Sequence, residues 1–228
     1  MEEVSEGTEL VVARGPGQTD AATNPCAHCP SKCCDFLVAV STVEAMRMAF
    51  ALRIPFDEFL DASPMTTGGA ERFASSIELD VGPSKLVFKR IDGRCTHLLR
   101  PTAERSRCGV YELRPAVCRL FPFLFEIDGE EISVGYGNPI CPVRFAVTPT
   151  TATRLETHVL LWKDDMAHDE ALVKRWNDVA RTDRSLAAFF VWLRDEASPL
   201  MGHNPRAFER FPERPKFAFL KATTRRVI

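Results

Sequence analysis

The chain has 228 residues, 45% of them hydrophobic, with a formal net charge of −2 and a pI near 6.2. That length buries a core without staples, and so even a charge balance gives no field pointing to nucleic acid or an anionic membrane. No run of about eighteen apolar residues occurs, which argues against a conventional membrane span.

Residues 1–25 read as a flexible tail. Its acidic start, Met1-Glu2-Glu3-Val4-Ser5-Glu6, lacks the apolar stretch of a secretory leader, so the expected location is cytoplasmic. Glu9-Leu10-Val11-Val12-Ala13 could add a short strand. Four cysteines follow within nine residues, in Cys26-Ala27-His28-Cys29-Pro30-Ser31-Lys32-Cys33-Cys34. Phe36 to Val40 is a candidate for a short buried strand. Ser41-Thr42-Val43-Glu44 matches the capping box that opens a helix, and Val43, Met46 and Phe50 recur behind it at helical spacing. Pro55 starts a second helix, Phe56 to Asp61, and residues 63–69 read as a loop.

Two Asp-Gly pairs lie between strand-like runs: Asp92-Gly93 after Lys85–Ile91, and Asp128-Gly129 between Phe123–Ile127 and Glu131–Val134. Asp-Gly supplies the positive φ angles of a tight turn, so both predict hairpins. The first sets Cys95 just beyond its tip. From about residue 150 three apolar stripes predict helices: Leu155, Val159 and Trp162; Leu172, Trp176 and Val179; and Leu186, Phe189, Phe190 and Leu193, stopped by Pro199. The acidic pairs Asp164-Asp165 and Asp169-Glu170 read as solvated helix faces. The segment from His203 to Ile228 is basic.

The cysteine pattern is C-x2-C-x3-C-C, then x60-C-x12-C-x9-C-x22-C. The candidate metal ligands are Cys26, Cys29, Cys33, Cys34, Cys95, Cys108, Cys118 and Cys141. A C-x2-C turn lets two sulfurs converge on one centre, and in a reducing compartment eight thiols more often bind metal than pair as disulfides. The knot lies among Pro, His, Ser and Lys rather than in an apolar stripe, which argues against buried free thiols. Neighbouring side chains usually diverge, so Cys33 and Cys34 suggest two centres, or one polynuclear centre that takes both. All-thiolate ligation suits zinc and iron–sulfur alike; ligands scattered along the chain favour an iron–sulfur cluster, with zinc as the alternative.

The knot and the later run Cys108-Gly109-Val110-Tyr111-Glu112-Leu113-Arg114-Pro115-Ala116-Val117-Cys118-Arg119 together resemble the YkgJ-like cysteine-cluster family, CxxCxxCC, a zinc- or iron-chelating domain. The resemblance covers about residues 26–142 and implies chelation by the eight cysteines. It departs where Pro30, Ser31 and Lys32 separate Cys29 from Cys33, since the family name has two residues there, and the segment Thr96 to Arg107 is longer than usual between its cysteines. One branch of the family resembles flagellin lysine N-methylases, and nothing here matches that activity specifically.

Around the ligands, Arg114 and Arg119 are supporting candidates, offsetting thiolate charge or clamping a turn, and Tyr111 reads as a packed aromatic. Pro115 starts a short helix presenting Cys118. His28 and His97 read as bystanders, and His158, His168 and His203 as solvated. The expected fold is α+β: a small cysteine-rich metal-binding domain of hairpins and short helices over 26–148, then a helical C-terminal region over 149–228 with a basic tail. The expected function is metal binding by a cytoplasmic protein. A metal-dependent enzyme modifying a protein or peptide side chain, or a zinc-stabilised interaction module, is the alternative. The protein partner, if any, is unspecified.

Overall fold

Ser41 opens the first helix, α1 (Thr42–Leu52), with both halves of a capping box: its Oγ accepts the Glu44 N–H at 3.2 Å, and Glu44 accepts the Ser41 N–H at 3.1 Å. The helix stops where Arg53 turns into the left-handed region, at φ 56. Pro55 then caps α2 (Phe56–Phe59). This helix ends two residues before the expected Asp61, because Leu60 enters a strand, β1 (Leu60–Pro64), paired with β3 (Gly82–Phe88). Four residues of helix hold too few internal hydrogen bonds to outcompete that ladder. Ser63 and Pro64 therefore belong to β1 and not to a loop, with the proline at the end of an edge strand.

The computed structural model describes residues 32–65, 73–99, 107–128, 131–136, 141 and 148–200. The fold is α+β with a helical C-terminal region. β1, β3 and β2 (Ile77–Leu79) make an antiparallel sheet with β3 central. The expected strand over Phe36–Val40 reduces to one bridge, Ala39 to Val87. Val38, Ala39 and Val40 are buried against β3, whereas Phe36 and Leu37 are 40% and 48% exposed.

Both hairpins form. β4 (Arg90–Ile91) and β5 (Arg94–Cys95) flank Asp92 and Gly93, at φ 49 and 77, the pair of positive angles a two-residue turn needs. Cys95 thus sits within β5, opposite Arg90. β6 (Leu98–Leu99) pairs with β7 (Arg107–Cys108). After α3 (Ala116–Leu120), β8 (Phe123–Asp128) pairs with β9 (Glu131–Tyr136). The first two C-terminal stripes share one 30-residue helix, α4 (Pro149–Asp178), capped by Thr148; Val179 lies just past its end and is half exposed. α5 (Leu186–Leu200) continues through Pro199, where the sequence reading ended it. The proposed tail, the short strand over 9–13, Cys26, Cys29, His28 and the basic segment from His203 lie outside the described residues.

The main core joins α1, α2 and the sheet to the C-terminal helices: Met48, Phe59, Leu60 and Leu86 pack with Trp176, Phe189 and Leu193. A smaller cluster of Ala116, Leu120, Phe125, Leu155 and Val159 packs α3 and β8 against α4. Among the described residues, no helix is long and apolar enough to cross a membrane.

Two acids expected on solvated faces are structural. Asp165 takes both Arg47 nitrogens, at 2.8 and 3.0 Å. Asp169 is 1% exposed and accepts the Thr42 N–H and hydroxyl, both at 2.6 Å, and the Ser75 N–H at 2.8 Å. Glu44 reaches further than its own helix: it accepts the Ala116 N–H at 2.6 Å, fixing the first turn of α3 to the first turn of α1.

Burial pushes the Glu44 carboxyl up from 4.5 to about 6, against the pull of the Ala116 and Ser41 N–H groups. A raised carboxyl binds its proton more tightly in the folded chain. The group therefore costs stability progressively as pH rises from about 4.5 to about 6, by about 2 kcal/mol once complete. Glu44→Gln keeps an acceptor but carries no proton. Subtracting its stability–pH profile (from urea unfolding) from that of the parent is expected to leave a fall of that size across this window. His158, held down to about 4 by burial and nearby arginines, acts in the opposite sense and cancels in the difference. A flat difference profile would show that Glu44 is not desolvated.

Candidate metal centre

Cys33 and Cys34 lie in one 3₁₀ turn, Lys32–Asp35. That turn is tied to the β4–β5 hairpin by its acid: the Asp35 carbonyl accepts from Arg90 at 2.7 Å, and the Asp35 carboxylate pairs with Arg94 at 3.1 Å. The hairpin brings Cys95 beside them. Cys108 arrives on β7, directly opposite Leu98. Gly109 follows with its N–H on the His97 carbonyl at 2.8 Å. A Cβ at Gly109 would stand 3.2 Å from that oxygen and from the Leu99 side chain, so the close approach of the two segments suits glycine. Cys118 is delivered by α3, which Pro115 opens and Glu44 holds.

These five sulfurs converge. Cys34 feels the charges of Cys33, Cys95 and Cys118; Cys118 those of Cys33, Cys95 and Cys108. None of the five is in a disulfide, and all are half-buried. Cys95, Cys108 and Cys118 also pack against the edge of the main core. Cys141 is half-buried as well, within a stretch whose chain neighbours lie outside the described residues. Among the described residues, no three His, Cys, Asp or Glu side chains are grouped tightly enough to hold a metal ion.

Cys33 and Cys34 do not diverge as adjacent side chains were expected to. The Cys34 thiol donates to the Cys33 sulfur, and this bond, helped by the Arg114 guanidinium and local N–H groups, lowers Cys33 to about 7 against the effect of burial. The same bond, then burial and the neighbouring sulfurs, pushes Cys34 far up. Burial raises Cys95 and Cys108, each opposed by an N–H two residues on, from His97 and from Val110. Burial and three neighbouring sulfurs hold Cys118 well above 9.0. Donor and environment together fit a soft cation. Four of the thiols resist ionisation because their thiolates would sit desolvated beside one another, which is the repulsion a bound cation relieves. The two N–H···S contacts and Arg114 supply the hydrogen bonds and charge that tune a thiolate centre.

The supporting arginines act through carbonyls. Arg114 stacks over the Tyr111 ring at 3.7 Å and donates Nε to the Tyr111 carbonyl at 3.0 Å. Arg119 donates to the carbonyls of Arg114 at 2.5 Å and Glu112 at 2.9 Å. Together they brace the turn between Cys108 and Cys118. The His97 ring meets Phe88 edge-on at 4.8 Å, and burial lowers its pKa.

Comparison with known proteins points to metal chelation. The chain is 27% identical over 104 residues to an uncharacterized protein of Methanocaldococcus jannaschii, a match covering 46% of this chain and 47% of that protein, so the chain spans about half the relative's length. No solved structure matches. A family model matches residues 25–142, just over half of the chain, from before the knot to just past Cys141. The chain therefore belongs to the CxxCxxCC family, described as "Putative zinc- or iron-chelating domain".

Proposed function

We propose that the protein holds an iron–sulfur centre through Cys26, Cys29, Cys33, Cys34, Cys95, Cys108, Cys118 and Cys141, in a reducing, cytoplasmic setting. The observation that carries the reading is the convergence of five half-buried thiols from four separate segments of the chain. The metal identity rests on the scatter of the ligands along the chain: thiols that the fold gathers from four separate segments suit an iron–sulfur cluster. When bound, such a cluster supplies one-electron chemistry. The chain's own contribution is to gather and orient the sulfurs: Arg114 offsets their charge, and the His97 and Val110 N–H groups fix the sulfurs of Cys95 and Cys108. Residues 26–148 form the chelating unit in this reading, and residues 149–228 its helical cover.

Protein purified anaerobically after expression with ample iron and sulfide is expected to be brown, with sulfide and iron in near equal amounts and a visible band bleached by reductant. Colourless protein carrying stoichiometric zinc would overturn the cluster and leave the thiolate site, since zinc has neither visible transitions nor redox chemistry.

A further inference from the structure

Among the described residues, positive charge gathers at the seam between α3 and α4 with no ion pair to neutralise it. Arg119 lies in the last turn of α3. Arg154 and His158, four apart on α4, share one face of that helix, and the two helices pack through Leu120, Leu155 and Val159. Arg119, Arg154 and Arg114 are all near enough to act on His158. Among the described residues, none of the three arginines makes an ion pair with a carboxylate. The acids that reach Arg119 are Glu44 and Asp165, and both are engaged: Asp165 by Arg47, Glu44 by Ser41 and Ala116. The carbonyls of Glu112 and Arg114 hold the Arg119 guanidinium in place without cancelling its charge. Among the described residues, the buried His158 Nδ1 has no hydrogen-bond partner.

Guanidiniums held together at a partly buried seam repel one another, and an unpartnered buried ring nitrogen adds a desolvation cost. An oxyanion removes both, because arginine forks match carboxylate and phosphate oxygens. Arg114 acts on the Cys33 sulfur, while Glu44 and Asp165 act on Arg119. We propose that Arg119, Arg154 and His158, with Arg114 at the margin, form a binding site for a small oxyanion, a carboxylate or phosphate group, one residue from Cys118. The site is independent of which metal the sulfurs hold.

The test titrates the full-length, metal-loaded protein with inorganic phosphate, and separately with succinate, at constant ionic strength set by chloride. The His158 imidazole signal is followed by NMR and assigned with His158→Gln. A saturable shift with at least one anion is expected, and which one saturates identifies the source. Arg119→Gln and Arg154→Gln are expected to weaken it by about tenfold each. Lys174→Gln, further along α4 and paired with Asp178, is expected to leave it unchanged. Because Arg119 also braces α3, the exposed Arg154 is the decisive variant, and its metal content measured in parallel is expected to match the parent. Non-saturating shifts with both anions, or an Arg154→Gln protein that binds as tightly as the parent, would overturn the site.

Discussion

Replacing Cys118 by serine is expected to strip most of the bound metal and lower the stability of the loaded protein by about 3–4 kcal/mol. That is roughly one thiolate's share of the free energy a metal contributes to a small thiolate domain, and about 10 °C in Tm for a chain of this size. Cys118 is the sulfur to remove because the charges of Cys33, Cys95 and Cys108 all converge on it and it packs against the main core. The substitution is nearly isosteric, so the metal-free protein is expected to lose only about 1 kcal/mol, the scale of an ordinary partly buried change. Urea unfolding of parent and variant, each before and after chelation, separates the two effects. Equal losses in loaded and stripped protein would mean that the Cys118 sulfur is a small apolar filler and no ligand.

Much of this site was legible because its signals are local. A capping box needs only Ser41 and Glu44 three residues apart, an I′-type turn needs only Asp92-Gly93, and Pro115 opens α3 by its own fixed φ. The cysteine pattern was equally readable, since thiolate spacing carries its chemistry with it. What escaped notice depends on partners distant in sequence. Asp165 looks solvated until Arg47 meets it across 118 residues, and Asp169 until Thr42 does across 127. His158 reads as a surface residue on α4, because its surroundings come from α3 and the turn before it. Cys33 and Cys34 were expected to diverge on a generic neighbour rule; a 3₁₀ turn instead lets one thiol donate to the other. Helix boundaries failed where a competing ladder won, as at Leu60, or where a late proline was tolerated, as at Pro199.

The adjacent acids Asp169 and Glu170 give the sharpest contrast in stability. Asp169→Ala is expected to cost about 4 kcal/mol, because three donors, the Thr42 N–H and hydroxyl and the Ser75 N–H, lose a charged acceptor. Two of the three are buried with it, and the Thr42 N–H is an orphan donor at the first turn of α1, where a carboxylate also meets the favourable end of the helix dipole. Glu170→Ala, one residue on and exposed, is expected to stay within about 0.5 kcal/mol of the parent. Asp169→Asn falls between them, since its amide keeps one acceptor but turns a donor toward another donor. Hydrogen exchange adds a readout that global unfolding lacks: the Thr42 and Ser75 amides are expected to lose protection in Asp169→Ala before the rest of α1 does. The consequence extends to the sulfurs. Asp169 fixes the start of α1, Glu44 in that same turn fixes the start of α3, and α3 carries Cys118. A loosened α1 is therefore expected to weaken metal binding in Asp169→Ala although no ligand has changed. Parent-like stability and metal affinity in that variant would break this chain of support at its first link.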